Sequence, residues 1–298
     1  MTKVIITGGT GLVGKRLMEL LVCKNYQVNI WGGNPKKANE YKWNLEENYI
    51  DEKVFENITA IIHLAGAGVA DARWTDARKQ EIIESRTKSA QLLYRYLEKG
   101  SHKIQSFISA SAVGFYGDRG NELLTETSTK GTGFLAEVCQ LWENEAEKFS
   151  SLNITVSKIR IGIVLSKDGG ALPKLDFPIK FGIGAYIGNG KQYVPWIHID
   201  DLCNIFIHLL ENENSHSTYN ACAPDIKTNK QMSETIASVL HRPFIPFPAP
   251  AFILKTVMGE MASMLLMSNN CSSEKIQHTG FQFQYPTLVK ALEVIYNK

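Results

Sequence analysis

Lys3-Val-Ile-Ile-Thr7-Gly8-Gly-Thr-Gly11-Leu-Val-Gly14 is followed directly by Lys-Arg-Leu-Met-Glu-Leu-Leu. The run at residues 4–6 is short, apolar and β-branched, as a strand covered on both faces requires. Val13, Leu17, Leu20 and Leu21 then recur at helical spacing. Strand, glycine turn and helix thus follow one another without a gap. Gly8 permits the tight turn, Gly11 permits close approach of an anion to the backbone, and Gly14 permits the helix to pack on the strand. The helix N-terminus presents free N–H groups and roughly half a positive charge. That context turns a glycine triplet into a dinucleotide-binding expectation.

Strand and helix patterns continue to alternate. Residues 27–31 and 60–65 read as strands, 75–99 as a helix, 106–110 as a strand, 134–149 as a helix and 154–165 as a strand. This alternation implies an α/β fold with a doubly wound parallel sheet, its strand C-terminal ends on one edge. Residues 166–195 are rich in Gly and Pro, as a loop-and-lid insertion would be. Residues 194–201 are expected back at the sheet edge, and 219–223 read as a short strand. The expected division is a Rossmann unit at residues 1–165 and 194–224, with a smaller substrate-side subdomain at 166–193 and 225–298.

The bulk properties exclude several classes. At 298 residues the chain can bury a large core, and a net charge of +2 gives no nucleic-acid surface. No apolar run reaches the ~18 residues of a membrane span. The Met-rich stretch at 252–267 contains Lys255 and Glu260, so it reads as core or as a subunit contact, with a homodimer the candidate assembly. Five scattered cysteines lack metal-ligand spacing, and no metal site is expected. A reducing cytoplasm, with no signal or transit peptide ahead of the first strand, is the expected setting.

The glycine spacing, Gly8-x-x-Gly11-x-x-Gly14, resembles that of the extended short-chain dehydrogenases/reductases. Ile62-His-Leu-Ala-Gly66 resembles their strand end beside the cofactor. The stretch Ile108-Ser-Ala-Ser-Ala-Val-Gly-Phe-Tyr-Gly117 resembles their active-site serine segment, and Trp196-Ile-His-Ile-Asp200-Asp201 their His-Val-Asp-Asp segment. Asp71, Arg73, Trp74, the pair Ser85-Arg86, Asp168-Gly-Gly170 and Gly280-Phe-Gln-Phe-Gln-Tyr-Pro286 are similar to an atypical epimerase-like branch. That branch is often described as nucleoside-diphosphate-sugar epimerases or as cell-division inhibitors. The resemblance implies a cofactor site at Thr7, Gly8, Gly11, Leu12, Val13, Gly14, Leu64, Ala65, Gly66, Arg86 and Ser109, and a small-molecule substrate, a sugar nucleotide among the candidates.

One departure bears on the chemistry. Extended members use a Tyr-x-x-x-Lys pair, and here Leu135 and Cys139 stand at those positions when Glu143 anchors the alignment. A shift of one residue gives Phe134 and Val138. None of these carries a proton or a fixed positive charge as that pair does. Ser111 and Tyr116 are therefore the expected catalytic groups, with Glu137 and His198 as further titratable candidates. Each has a plainer alternative: backbone bonding for Ser111, ring packing for Tyr116, a solvated helix face for Glu137 and a satisfied structural histidine for His198. Arg160 reads as an ion-pair partner.

After the second strand, Gly32-Gly33-Asn34-Pro-Lys36-Lys37 holds no acid to bond the ribose hydroxyls of NAD. Gly32, Gly33, Asn34 and Lys36 are thus expected to hold a 2′-phosphate, which makes NADP(H) the expected cofactor. The leading expectation is an NADP(H)-dependent epimerase or reductase of a small carbonyl or hydroxyl compound. The alternative is a regulatory, redox-sensing NADP(H)-binding protein without catalysis.

Overall fold

A computed structural model describes residues 3–32, 37–100, 102–212 and 216–297. Its main strands are β1 (Lys3–Thr7), β2 (Gln27–Gly32), β3 (Glu40–Asn44), β4 (Tyr49–Ile50), β5 (Ala60–His63), β6 (Ser106–Ala112), β7 (Thr155–Ile161) and β8 (Thr218–Ala221). Among the described residues they form an eight-stranded sheet in the order β8-β7-β6-β5-β1-β2-β3-β4. All neighbours pair in parallel except β3 with β4.

The side-chain alternation of the strands divides the core in two. Val4, Ile6, Ile30, Ile62 and Ile108 face α1 (Leu12–Cys23) and α5 (Ile199–Glu211), meeting Leu17, Leu21 and Phe206. Ile5, Ile61 and Phe107 face the other way, toward Leu93 and Leu97 of α2 (Asp76–Lys99). α3 (Phe134–Glu147) lies beside α2 on that second face. The parallel order therefore brings the ends of β1, β5 and β6 to one edge, where the glycine turn also lies.

Two expectations need correction. The strand expected at 154–165 is not continuous. It breaks at Gly162, where an added Cβ would sit 2.7 Å from the Pro195 carbonyl oxygen. Beyond the break, Ile163–Ser166 leaves the main sheet and pairs in parallel with Trp196–His198. Of residues 194–201, Trp196–His198 thus join a separate three-stranded sheet rather than the main edge, and Ile199 begins α5. β3 and β4, too short and too mixed in pattern to read as strands from sequence, extend the sheet beyond β2.

The second half is built from α4 (Leu172–Lys180), α6 (Asn229–Val239), α7 (Ala251–Met258) and shorter elements. Met261 and Met264 pack against the cluster of Trp74, Ile82 and Val138. An ion pair between Lys79 and Glu260 fastens the same segment to α2. Among the described residues no helix is long and apolar enough to cross a membrane.

Candidate functional site

The glycine turn uses each glycine differently. Gly8 has φ +71°, and a Cβ there would lie 2.8 Å from the Leu64 carbonyl oxygen. At Gly14 a Cβ would lie 2.4 Å from the Gly8 oxygen, so the helix rests directly on the turn. Gly11 is exposed, and its Cβ direction meets only the Gly8 oxygen, at 3.3 Å. The space above Gly11 is therefore left free by the protein. No side chain caps α1, and its first turn, which includes Leu12 and Val13, contains no acid. Its leading N–H groups remain free for an anion.

Thr7 is fully buried, and its hydroxyl accepts hydrogen bonds from the Leu64 and Ala65 amides, both at 3.1 Å. It acts on the site by fixing the backbone after β5, and its side chain is not at the surface of the cleft. The Ala67 amide donates to Ser85 Oγ at 2.9 Å, which holds the same loop on α2. Gly66 then lies over Arg86, where a Cβ would come 2.9 Å from the guanidinium carbon.

Arg86 is 8 % exposed and lies 4.9 Å from the centre of the Trp142 ring. Its Nη1 donates to the Ile82 carbonyl at 2.8 Å. Among the described residues it has no carboxylate partner. Burial, and the neighbouring Arg78 guanidinium after it, bring its pKa down to about 10. A buried cation with one backbone acceptor and no counter-ion has bonding capacity for an anion. Gly32 ends β2, with no atom near its Cβ direction. Gly33, Asn34 and Lys36 lie outside the described residues; Lys37 lies within them.

Both members of the expected catalytic pair, Ser111 and Tyr116, are buried. Tyr116 is fully buried; its hydroxyl donates to Asn220 Oδ1 at 2.7 Å and accepts from Arg160 Nη1 at 3.0 Å. Burial pushes its phenol pKa well up, with Arg160 only partly opposing. Ser111 is 2 % exposed and donates its proton to Glu143 Oε1 at 2.7 Å. Arg160 clamps both Glu143 oxygens, at 2.8 and 2.9 Å. Both hydroxyls thus belong to a closed network in which every partner is protein. Ser109, expected at the cofactor, is 1 % exposed and donates to the Ala110 carbonyl at 3.0 Å. Glu143, which sequence reasoning used only as an alignment anchor, is the centre of this network. An acid one turn past Cys139, with an arginine inside the next strand, was the available signal.

The inner face of α3 is apolar. Leu135 lies against Gly114, Phe134 meets Trp74 edge to face at 4.9 Å, and Val138 packs on Trp74 and Ile82. Burial, and Glu143 after it, push the Cys139 thiol up to about 11. Glu137 is exposed on the first turn of α3.

The segment at 196–201 is also structural. His198 caps α5 by accepting from the Asp200 amide at 3.1 Å, and burial lowers its pKa. Asp200 bonds Arg16 at 2.6 and 3.1 Å, joining α5 to α1. The buried Asp201 accepts from the Gln284 and Tyr285 amides at 2.8 and 3.0 Å and anchors the C-terminal segment.

Known proteins resemble this chain in sequence and fold. Residues 4–134 match the NAD dependent epimerase/dehydratase family, and residues 249–295 match a domain of unknown function. An epimerase family protein of Staphylococcus saprophyticus is 34% identical over 98% of this chain and 99% of its own length. One from Staphylococcus aureus is 33% identical, with 98% of each chain covered. A human epimerase family protein, solved with NADPH, superposes with a TM-score of 0.89 at 26% identity, over 100% of both chains. A nucleoside-diphosphate sugar epimerase from Corynebacterium glutamicum gives 0.80 at 30% identity, over 98% of this chain and 57% of that one. With this identity along nearly its whole length, and with the same fold, the chain belongs to the epimerase family, among the extended short-chain dehydrogenase/reductase-like proteins.

Proposed function

We propose that this protein binds NADP(H) across the β1–α1 turn and works as an oxidoreductase or isomerase on a small carbonyl or hydroxyl compound. The observation that carries the reading is a cradle left incomplete by protein atoms: free space over Gly11, an uncapped α1 and Arg86 without a carboxylate. Those groups suit a pyrophosphate and ribose edge. Leu12, Val13, Leu64, Ala65 and Gly66 would supply the backbone around it. The lack of an acid at the end of β2, with Lys37 nearby in sequence, supports NADP(H) over NAD(H). The human relative solved with NADPH points the same way.

Bound there, the cofactor supplies hydride exchange with a substrate carbon. This chain's own part is to hold the dinucleotide and, through Leu135, Phe134 and Val138, to keep water from the apolar side of α3. Tyr116 and Ser111 are bonded within the protein, which favours a proton from another side chain, the substrate or solvent. The committed Tyr116 and Ser111 hydroxyls equally support a second reading, an NADP(H)-binding redox sensor.

Calorimetry with NADPH and NADH tests the binding. A preference of about tenfold or more for NADPH is expected, which corresponds to ~1.4 kcal/mol. Equal affinities would refute the 2′-phosphate assignment. Incubation with NADPH and a panel of carbonyl compounds and sugar nucleotides, followed by absorbance and product stereochemistry, separates the two readings. Tight binding without turnover across the panel selects the sensor.

A further inference from the structure

The residues after the glycine-rich hairpin build a surface that the cofactor site does not use. α4 carries Phe177 and leads through Phe181 into the strand Ile183–Ile187. The rings of Phe177 and Phe181 meet at 5.2 Å. That strand pairs in parallel with Ile245–Ala249, in a register that sets Ile183 beside Ile245. Ile245 and Phe247, two residues apart, share one face of the strand. α7 begins two residues past it and carries Phe252. The other face of the small sheet packs on α6, where Asn229 Oδ1 receives the Ile187 amide at 2.7 Å.

The outer face is open. Phe181 is 72 % exposed, Phe252 70 % and Ile245 67 %. Taking ~200 Å² for a phenylalanine, these six side chains expose on the order of 700 Å² of apolar surface. The largest apolar patch of an ordinary monomer is ~300–600 Å². One side of a standard protein interface is ~800 Å².

We propose that this face is the contact between two copies of the chain, related by a twofold axis. The area matches one half of such an interface, and a flat apolar patch complements its own copy when the axis passes through it. Pro246 and Pro248 determine how the copies meet. The ladder to Ile183–Ile187 needs N–H groups from the alternate residues, so the prolines stand where donors would point outward. The free edge therefore resists strand addition, and contact occurs through the face. A lipid surface is the poorer occupant. An interfacial helix carries a polar face rich in Lys and Arg, whereas α7 holds one cation, Lys255. Lys180 on α4 is already paired with Asp176 at 2.9 Å.

Sedimentation velocity of the full chain across the micromolar range tests the proposal. The expected result is a species with the mass of two chains. The double substitution Phe181→Lys, Phe247→Lys should raise the dimer dissociation constant by ~100-fold or more. Circular dichroism and NADPH affinity should stay unchanged, since both side chains are largely exposed and neither is among the residues of the cofactor cradle. Phe252→Lys alone should weaken the dimer in the same direction. A monomer throughout the range would overturn the proposal, as would a dimer indifferent to these substitutions. A monomer that floats with phosphatidylglycerol vesicles would overturn it and assign the face to lipid.

Discussion

The glycine turn and the β6–α3 network lie at the same edge of one sheet and treat their polar groups in opposite ways. At the turn, α1 is uncapped and Arg86 is buried with a single backbone acceptor. In the network, Ser111, Glu143, Arg160, Tyr116 and Asn220 bond one another in sequence. Buried polar groups are normally satisfied, so those left over mark where a ligand completes the structure. The satisfied set has the character of a structural brace between β6, α3, β7 and β8. Residue type alone would have ranked these regions the other way, because the network holds the tyrosine and serine.

This contrast can be broken most forcefully at Arg160. Arg160→Leu leaves Glu143 buried without its cation and should cost about 3–5 kcal/mol of stability, read by urea denaturation. A loss under ~1 kcal/mol would deny the brace. At the turn, Gly11→Val should lower NADPH affinity ~100-fold or more while the melting temperature falls far less than for Arg160→Leu, because the added carbon meets only the Gly8 oxygen, at 3.3 Å. Undiminished affinity by calorimetry would remove the dinucleotide site. Arg86→Met should weaken NADPH about tenfold, with stability equal or higher, since an unpaired buried cation is removed.

The pH dependence sharpens the same distinction. His63 is fully buried, and burial, with the Arg86 charge second, lowers its pKa to about 3 from the usual 6.5 of an imidazole. The unfolded chain takes up a proton near the higher value, while the native state resists until the lower one. Stability is therefore full above pH ~6.5 and falls as the pH drops toward ~3, by ~1.4 kcal/mol per unit for this one group. His63→Leu should flatten that slope in thermal melts, and an unchanged slope would assign it to other groups. The smallest effect is expected at Tyr116. Tyr116→Phe should cost about 1 kcal/mol of stability and leave NADPH affinity intact. A ~100-fold loss of turnover, once a substrate is found, would return Tyr116 to the chemistry.

Local pattern determined much of this protein. The strand–turn–helix at residues 3–23, the parallel alternation and the expected cofactor backbone follow from β-branched runs, helical periodicity and glycine spacing, which are local constraints. The absence of a Tyr-x-x-x-Lys pair was equally legible, since leucine and cysteine cannot perform that chemistry wherever they lie. Tertiary structure decided the rest. Whether Tyr116 faces a substrate or the core depends on Asn220 and Arg160, which are 104 and 44 residues away. The break at Gly162 depends on the approach of Pro195, and the isolation of Arg86 depends on which carboxylates fold elsewhere. Burial and pairing are properties of segments distant in the chain, and no local pattern records them.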